Sequence, residues 1–221
     1  MFKIKILIRN FLIILFYISG ITFLQRIYLN HYYGYLYRIL CFHWIGKESK
    51  SNFEQKLIWL KENYEIMFLD DILKRIDNKK LSGNELAITF DDGFSDFREV
   101  VLPLLIKYKI PVTLFIPSEI LYLDNINSIK FALNKIGIEK TLLNRSELIQ
   151  ILQSKLVKLQ SHSHSHCDFG IETSKFLTKE LIQSKALIKE ITGEKVNMLA
   201  YPFGDIFNVS DKAFEALQKA E

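Results

Sequence analysis

The chain has 221 residues, 49% of them apolar and 24% charged, with 29 basic against 25 acidic side chains and a net charge of +4. That length suits one sizeable domain, and that balance excludes a disordered or collagen-like polypeptide. No Lys/Arg cluster interleaved with aromatic residues occurs, which argues against nucleic acid as a partner.

The N-terminus is the most hydrophobic stretch. Lys3, Lys5 and Arg9 precede an uncharged run from Phe11 to Leu24, and Arg26 closes it. A basic flank ahead of an apolar run is the polarity of a signal anchor whose basic end is cytoplasmic. The run is shorter than the roughly 20 residues that span a bilayer. Residues 1–30 therefore read as an apolar helix, either a membrane anchor that would hold the domain in the cell envelope or a helix packed beside it. Residues 31–221 read as one domain.

Within that domain, the short aromatic run 38–45 (RILCFHWI) predicts a buried strand, ended by the charged GKESKS. Residues 51–64 place Phe53, Leu57, Leu60 and Tyr64 at helical spacing behind a Ser/Asn cap. Residues 65–76 predict a short strand and then a helix, and 86–90 (LAITF) a strand that runs into the loop DDGFSDF. A helix follows over 98–110 with Pro103 early in it, then a strand over 111–116. An amphipathic helix over 146–155 leads to a strand over 156–161. A long helix over 177–195 takes Thr178 as its cap and ends at Gly193. A strand over 196–201, the loop PFGDIF and the start of a last helix complete the chain. Alternating strands and helices argue for a parallel sheet with crossover helices, either an open α/β sheet or a (β/α) barrel. In both, the residues just after the strands line the active-site face.

The two cysteines, Cys41 and Cys167, lack CxxC spacing and are expected to be buried or half-buried thiols. Three other strand ends carry chemistry. TFDDG supplies Asp91 and Asp92 at a bend, where one carboxylate can face an ion and the other a substrate, although Asp-Asp-Gly is also ordinary turn chemistry. HSHSH supplies His162, His164 and His166; it is not a zincin motif, because Ser163 stands where a glutamate would be needed and the segment follows a strand. Extended, the three imidazoles share a face; with a turn after His162, His162 and His166 meet and His164 points elsewhere. Two imidazoles and a carboxylate with positions left for water suit a catalytic zinc site. In AYPFG, Pro202 and Gly204 fix a turn that can aim the Phe203 N–H into a pocket, as an oxyanion donor.

TFDDG, HSHSH and YPFG, in that order, resemble the three first motifs of the polysaccharide deacetylases of carbohydrate esterase family 4, the NodB-homology fold. The likeness runs from about Arg38 to the end of the chain. It implies an α/β fold, a distorted TIM-like (β/α) barrel. It also implies a divalent metal, usually zinc, held by Asp92, His162 and His166, with Asp91 as general base and the Phe203 N–H on the oxyanion. Tyr201, Pro202 and Gly204 would lie against an N-acetylated glycan substrate. Ser163 would support the loop and His164 would stand apart.

The chain departs from the family in three places. Position 200 is Ala where many members have an Arg that holds the catalytic Asp. The later motifs, one with Asp and Trp and one a Leu-x-His bearing the general acid, do not appear in the 17 residues after Gly204, so a barrel lacking its last strands is expected. His43 sits on the first strand, where a packing role is expected. Three functions fit: a deacetylase of an N-acetylated envelope glycan, an impaired metal-binding remnant of one, or a related amidohydrolase acting on a small amide.

Overall fold

The computed structural model describes Tyr28 and residues 36–220, so the N-terminal anchor or helix expected over 1–30 lies outside the described residues but for Tyr28. Among the described residues no helix is long and apolar enough to cross a membrane. Five strands form one parallel sheet: β1 (Arg38–Phe42), β2 (Glu65–Ile66), β3 (Glu85–Phe90), β4 (Val112–Ile116) and β5 (Val157–Ser161). The order is β1-β3-β4-β5, with β2 beside the first residues of β3. Between them run the helices α1 (Lys50–Asn63), α2 (Leu69–Asp77), α3 (Leu102–Tyr108), α4 (Asn125–Phe131) and α5 (Arg145–Leu152); α6 (Ser174–Thr192) and α7 (Asp211–Lys219) follow β5. The alternation expected from the sequence is thus the fold, a parallel α/β sheet with crossover helices.

The centre of the sheet is β3, buried at every residue, as a parallel strand covered on both faces should be. Its Phe90 has no exposed surface and packs with Phe42, Phe97 and Phe53 at ring separations of 5.5, 5.0 and 6.2 Å. Helix α1 lays Phe53, Leu57 and Leu60 onto this core. Pro103 falls in the first turn of α3, where the π-turn over Phe97–Val101 passes into that helix. A second, smaller core joins Cys167 and Phe169 to Leu177 and Leu181 of α6 and to Ala213 and Ala216 of α7.

Several expected boundaries move, each for a local reason. The first strand stops at Phe42, because the Ile45 N–H donates to Asp96 Oδ2 at 2.7 Å and leaves the ladder. This strand alternates between half-buried and exposed residues, so Cys41 is exposed rather than buried. The segment 196–201 is not a strand. It touches β5 through one bridge, Ser161 to Leu199, while the Gln160 side chain accepts the N–H groups of Asn197 and Met198 at 3.1 and 2.9 Å in place of a ladder. Thr173, not Thr178, caps α6, accepting the Phe176 N–H at 3.3 Å; Thr178 donates its hydroxyl back to the Ser174 carbonyl inside the helix. Helix α4 and the π-turn over Ala132–Ile136 have no counterpart in the sequence reading, because short polar residues interrupt their apolar period.

Candidate functional site

The site is built where β3 and β5 end. Asp91 continues the ladder, its N–H donating to the Phe42 carbonyl at 2.9 Å. The chain then reverses through two successive left-handed residues, Asp92 (φ 71°) and Gly93 (φ 77°). Glycine suits the second, since a Cβ there would stand a tight 3.1 Å from both Ile116 and Ile120 side chains at a φ that side chains disfavour. This reversal sends the adjacent carboxylates in different directions. Asp91 stays on the face shared with Thr89, and Asp92 turns toward β5.

The His162 N–H donates to the Ile116 carbonyl at 2.9 Å, which keeps His162 on the sheet. Ser163 (φ 66°) and His166 (φ 53°) are both left-handed, so the segment folds back on itself and is neither helical nor extended. The result places His162 and His166 together, ring centroids 5.0 Å apart, with His164 elsewhere: His164 Nδ1 pairs with the Ser118 hydroxyl at 2.8 Å. Ser163 braces the loop by accepting the Cys167 N–H at 3.3 Å. Left-handed non-glycine residues are costly, and four of them, Asp92, Ser163, His166 and Phe203, surround this one site.

A buried glutamate of α6, absent from the sequence reading, holds the loop. Glu180 is 6% exposed and accepts from the N–H groups of His164 and Ser165 at 3.0 and 2.8 Å and from the Ser165 hydroxyl at 3.1 Å. The signal was present: Leu177, Glu180, Leu181, Ser184 and Ile188 are the buried face of α6, so an acidic residue interrupts a helical apolar stripe. Ser184 joins it by bonding Ser161 at 2.8 Å.

Asp92, His162 and His166 are buried and present one ligand atom each, all within 4.8 Å of one another. Both Nε2 atoms face the same oxygen, Asp92 Oδ1, at 3.4 and 3.2 Å, yet that oxygen forms no well-aligned hydrogen bond. Donors that converge on a point without pairing are the arrangement a cation fits. The His162 Nδ1 lies 2.7 Å from the Ala200 carbonyl, which directs its Nε2 at Asp92 and is the outer support a metal-binding imidazole needs. Position 200 supplies this contact through its backbone, whatever its side chain. Burial pushes the Asp92 carboxyl up, but the two imidazoles outweigh it and hold the group well below the usual carboxylate range. Burial acts on His162 the other way, and Asp92 and Asp91 together raise it.

Asp91 stands beside this cluster. Burial raises its pKa above the usual range, against the pull of His162, Cys41 and His43, and its Oδ1 is buried with no partner among the described residues. Its Oδ2 accepts from the Cys41 thiol at 3.2 Å, and partial desolvation of the sulfur on that side, together with the carboxylate, pushes the thiol of this otherwise exposed residue up to about 12. A cleft of about 430 Å³ opens over these groups, walled by Trp44, Ile136, Ile138, Tyr201, Phe203 and Gly204. Phe203 is left-handed (φ 70°), packs its ring 4.9 Å from that of His166, and its N–H donates to no group among the described residues. Tyr201 and Gly204 line the cleft, whereas Pro202 is buried behind it. His43, expected in packing, is exposed on the cleft wall. Cys167 is buried against Glu180 at 3.6 Å and is not among the three converging ligands.

A parallel α/β sheet thus carries an Asp/His/His cluster and a second aspartate at the carboxyl ends of its strands, the side on which sites are built in such folds. The polysaccharide deacetylase family matches residues 78–221, and the chain belongs to that family. It is 26% identical over 184 residues to the Bacillus subtilis protein YxkH, which carries the family's name, covering 80% of this chain and 60% of that one. It is 24% identical over 180 residues to the poly-beta-1,6-N-acetyl-D-glucosamine N-deacetylase of Staphylococcus epidermidis, covering 77% of this chain and 57% of that one. The chain thus spans 57 to 60% of the length of these relatives. The fold matches that of IcaB from Ammonifex degensii with a TM-score of 0.68 at 18% identity, covering 84% of this chain and 83% of that one. It also matches the Streptococcus pyogenes deacetylase PplD, with a TM-score of 0.66 at 20% identity and 83% and 80% coverage. These likenesses place the (β/α)-barrel-like deacetylase fold on this chain.

Proposed function

We propose that the protein is a metal-dependent deacetylase that removes N-acetyl groups from an N-acetylated glycan of the cell envelope. The observation that carries the reading is the convergence of Asp92, His162 and His166 with Asp91 beside them in an open cleft. Asp92 Oδ1 and the two Nε2 atoms would hold a divalent ion, usually zinc in this family. When bound, such an ion supplies Lewis acidity at the N-acetyl carbonyl and lowers the pKa of an attacking water. Asp91 accepts that water's proton; its raised affinity for a proton, set by burial, suits a general base. The Phe203 N–H, at a left-handed residue on the cleft wall and without a partner among the described residues, donates to the oxygen that gains charge. Breaking the C–N bond leaves acetate and a free amine on the sugar.

Tyr201, Gly204 and Trp44 on the cleft wall give the sugar an aromatic and backbone surface, while buried Pro202 shapes the turn. An open cleft admits a polymer better than a small amide would require. The names of the staphylococcal relatives point to poly-β-1,6-N-acetylglucosamine as the first substrate to try. The basic-then-apolar N-terminus supports anchorage to the cytoplasmic membrane with the domain outside. The test is acetate release from N-acetylglucosamine oligomers by chelator-stripped and zinc-reloaded protein. Turnover that returns with metal supports the reading, and absence of both metal uptake and turnover overturns it.

A further inference from the structure

We propose that Cys41, His43 and Asp91 form a second, thiolate-bearing metal site, and that an ion held there switches the enzyme off by occupying its base. The inhibitory half rests on the role given to Asp91 above; the binding half does not.

The register of the sheet creates the site. Cys41 pairs with Thr89 and Phe42 with Phe90, so the next level sets His43 opposite Asp91. Side chains two apart on a strand share a face, which puts Cys41, His43, Thr89 and Asp91 on one side of the sheet edge. The ligand atoms of Cys41, His43 and Asp91 lie within 4.8 Å of one another. The Cys41 Sγ to Asp91 Oδ2 separation of 3.2 Å is close to the roughly 3.5 Å edge of a tetrahedral zinc site with one sulfur and one oxygen. Independently, Asp91 Oδ1 is buried without a partner among the described residues, although the residue is 9% exposed and lines the cleft. A sulfur, an imidazole and a carboxylate select a zinc-like ion over calcium or magnesium.

This site is weaker than the Asp92 cluster. Cys41 and His43 are exposed, so an ion there competes with solvent, whereas Asp92, His162 and His166 are buried. It therefore fills only after the first. Binding is an acid–base exchange without redox change: the ion takes the sulfur lone pair, the Cys41 thiol proton leaves to solvent, and an imidazole nitrogen of His43 and the Asp91 carboxylate complete three ligands. With its carboxylate committed, Asp91 no longer accepts a proton from water.

The experiment titrates chelator-stripped full chain with Co²⁺ and follows absorption. The first equivalent is expected to give visible bands with no thiolate-to-cobalt charge transfer. The second, weaker equivalent is expected to bring that charge-transfer band in the near ultraviolet. Cys41→Ser and His43→Ala should each lose the second event and keep the first, and zinc beyond the first equivalent should inhibit wild type but not Cys41→Ser. A wild type without the band at excess cobalt, or a band that survives in Cys41→Ser, overturns the proposal. Loss of the first event in wild type with the thiolate band retained would defeat the deacetylase reading and leave this site standing.

Discussion

The Glu180 carboxylate accepts the Ser165 N–H at 2.8 Å, and this bond ties a helix to the loop that presents both imidazoles. The same carboxylate takes the His164 N–H and the Ser165 hydroxyl, so its removal strands several buried donors at once. Glu180→Ala is expected to cost about 2–3 kcal/mol of folding stability. Because His166 is positioned through this loop, zinc affinity should also fall roughly 10- to 100-fold. Glu180→Gln keeps an acceptor and should recover part of both. Urea unfolding and competition with a zinc indicator measure the two effects separately; an unchanged zinc affinity in a folded Glu180→Ala protein would leave Glu180 a purely structural group.

Asp91 and Asp92 are neighbours in sequence, and the proposed function gives them different tasks, so their variants should separate. Asp92→Ala and His162→Ala remove ligands and should abolish metal binding. Asp91→Asn should retain the metal and lower kcat by about 10²- to 10⁴-fold, the worth of a general base. His164→Ala should keep both metal and turnover, since its ring bonds Ser118 outside the cluster. Metal content after dialysis, read beside acetate release, checks all four; loss of zinc in His164→Ala would contradict the ligand assignment.

Acid stability should report on Glu85, far from the site. Its side chain is buried, salt-bridged to Arg75 at 3.0 Å, and accepts the N–H groups of Ser82, Gly83 and Asn84 at 2.7, 2.9 and 3.1 Å. Burial pushes its pKa up, but these donors outweigh it and lower it from 4.5 to about 2. A folded pKa below the unfolded one gives stability that is complete above the unfolded value and is lost as pH falls toward the folded one. The contribution is on the order of 1–3 kcal/mol and disappears between about pH 5 and pH 2. Glu85→Gln should flatten that part of the stability curve relative to wild type in urea melts, while an identical slope would show that Glu85 is not the group responsible.

Phe90 anchors the sheet against α1 and the turn before α3 through three ring contacts and has no exposed surface. Phe90→Ala leaves a cavity next to the strand end that carries Asp91. It is expected to cost about 3–5 kcal/mol, which calorimetry or urea unfolding would register. A loss below about 1 kcal/mol would mean that the neighbouring rings collapse into the space.

The sequence determined the alternation of strands and helices, because apolar runs and amphipathic periods are local signals, and LAITF, short and apolar with β-branched residues, reads as the buried strand it is. It also determined the candidate ligands, since the carboxylates and imidazoles sit in short motifs at strand ends. Which of the three histidines converge was decided by left-handed turns at Ser163 and His166, conformations that side-chain chemistry does not advertise. The segment after Lys195 reads as a strand, yet the Gln160 side chain, 37 residues earlier than the first N–H it binds, takes its backbone donors. Glu180 and His43 likewise gained their places only through contacts across the fold: one by packing α6 under the histidine loop, the other by the register of β1 on β3. Local pattern specifies which elements form. Long-range pairing decides which polar groups meet, because a hydrogen bond between distant residues leaves no periodic trace along the chain.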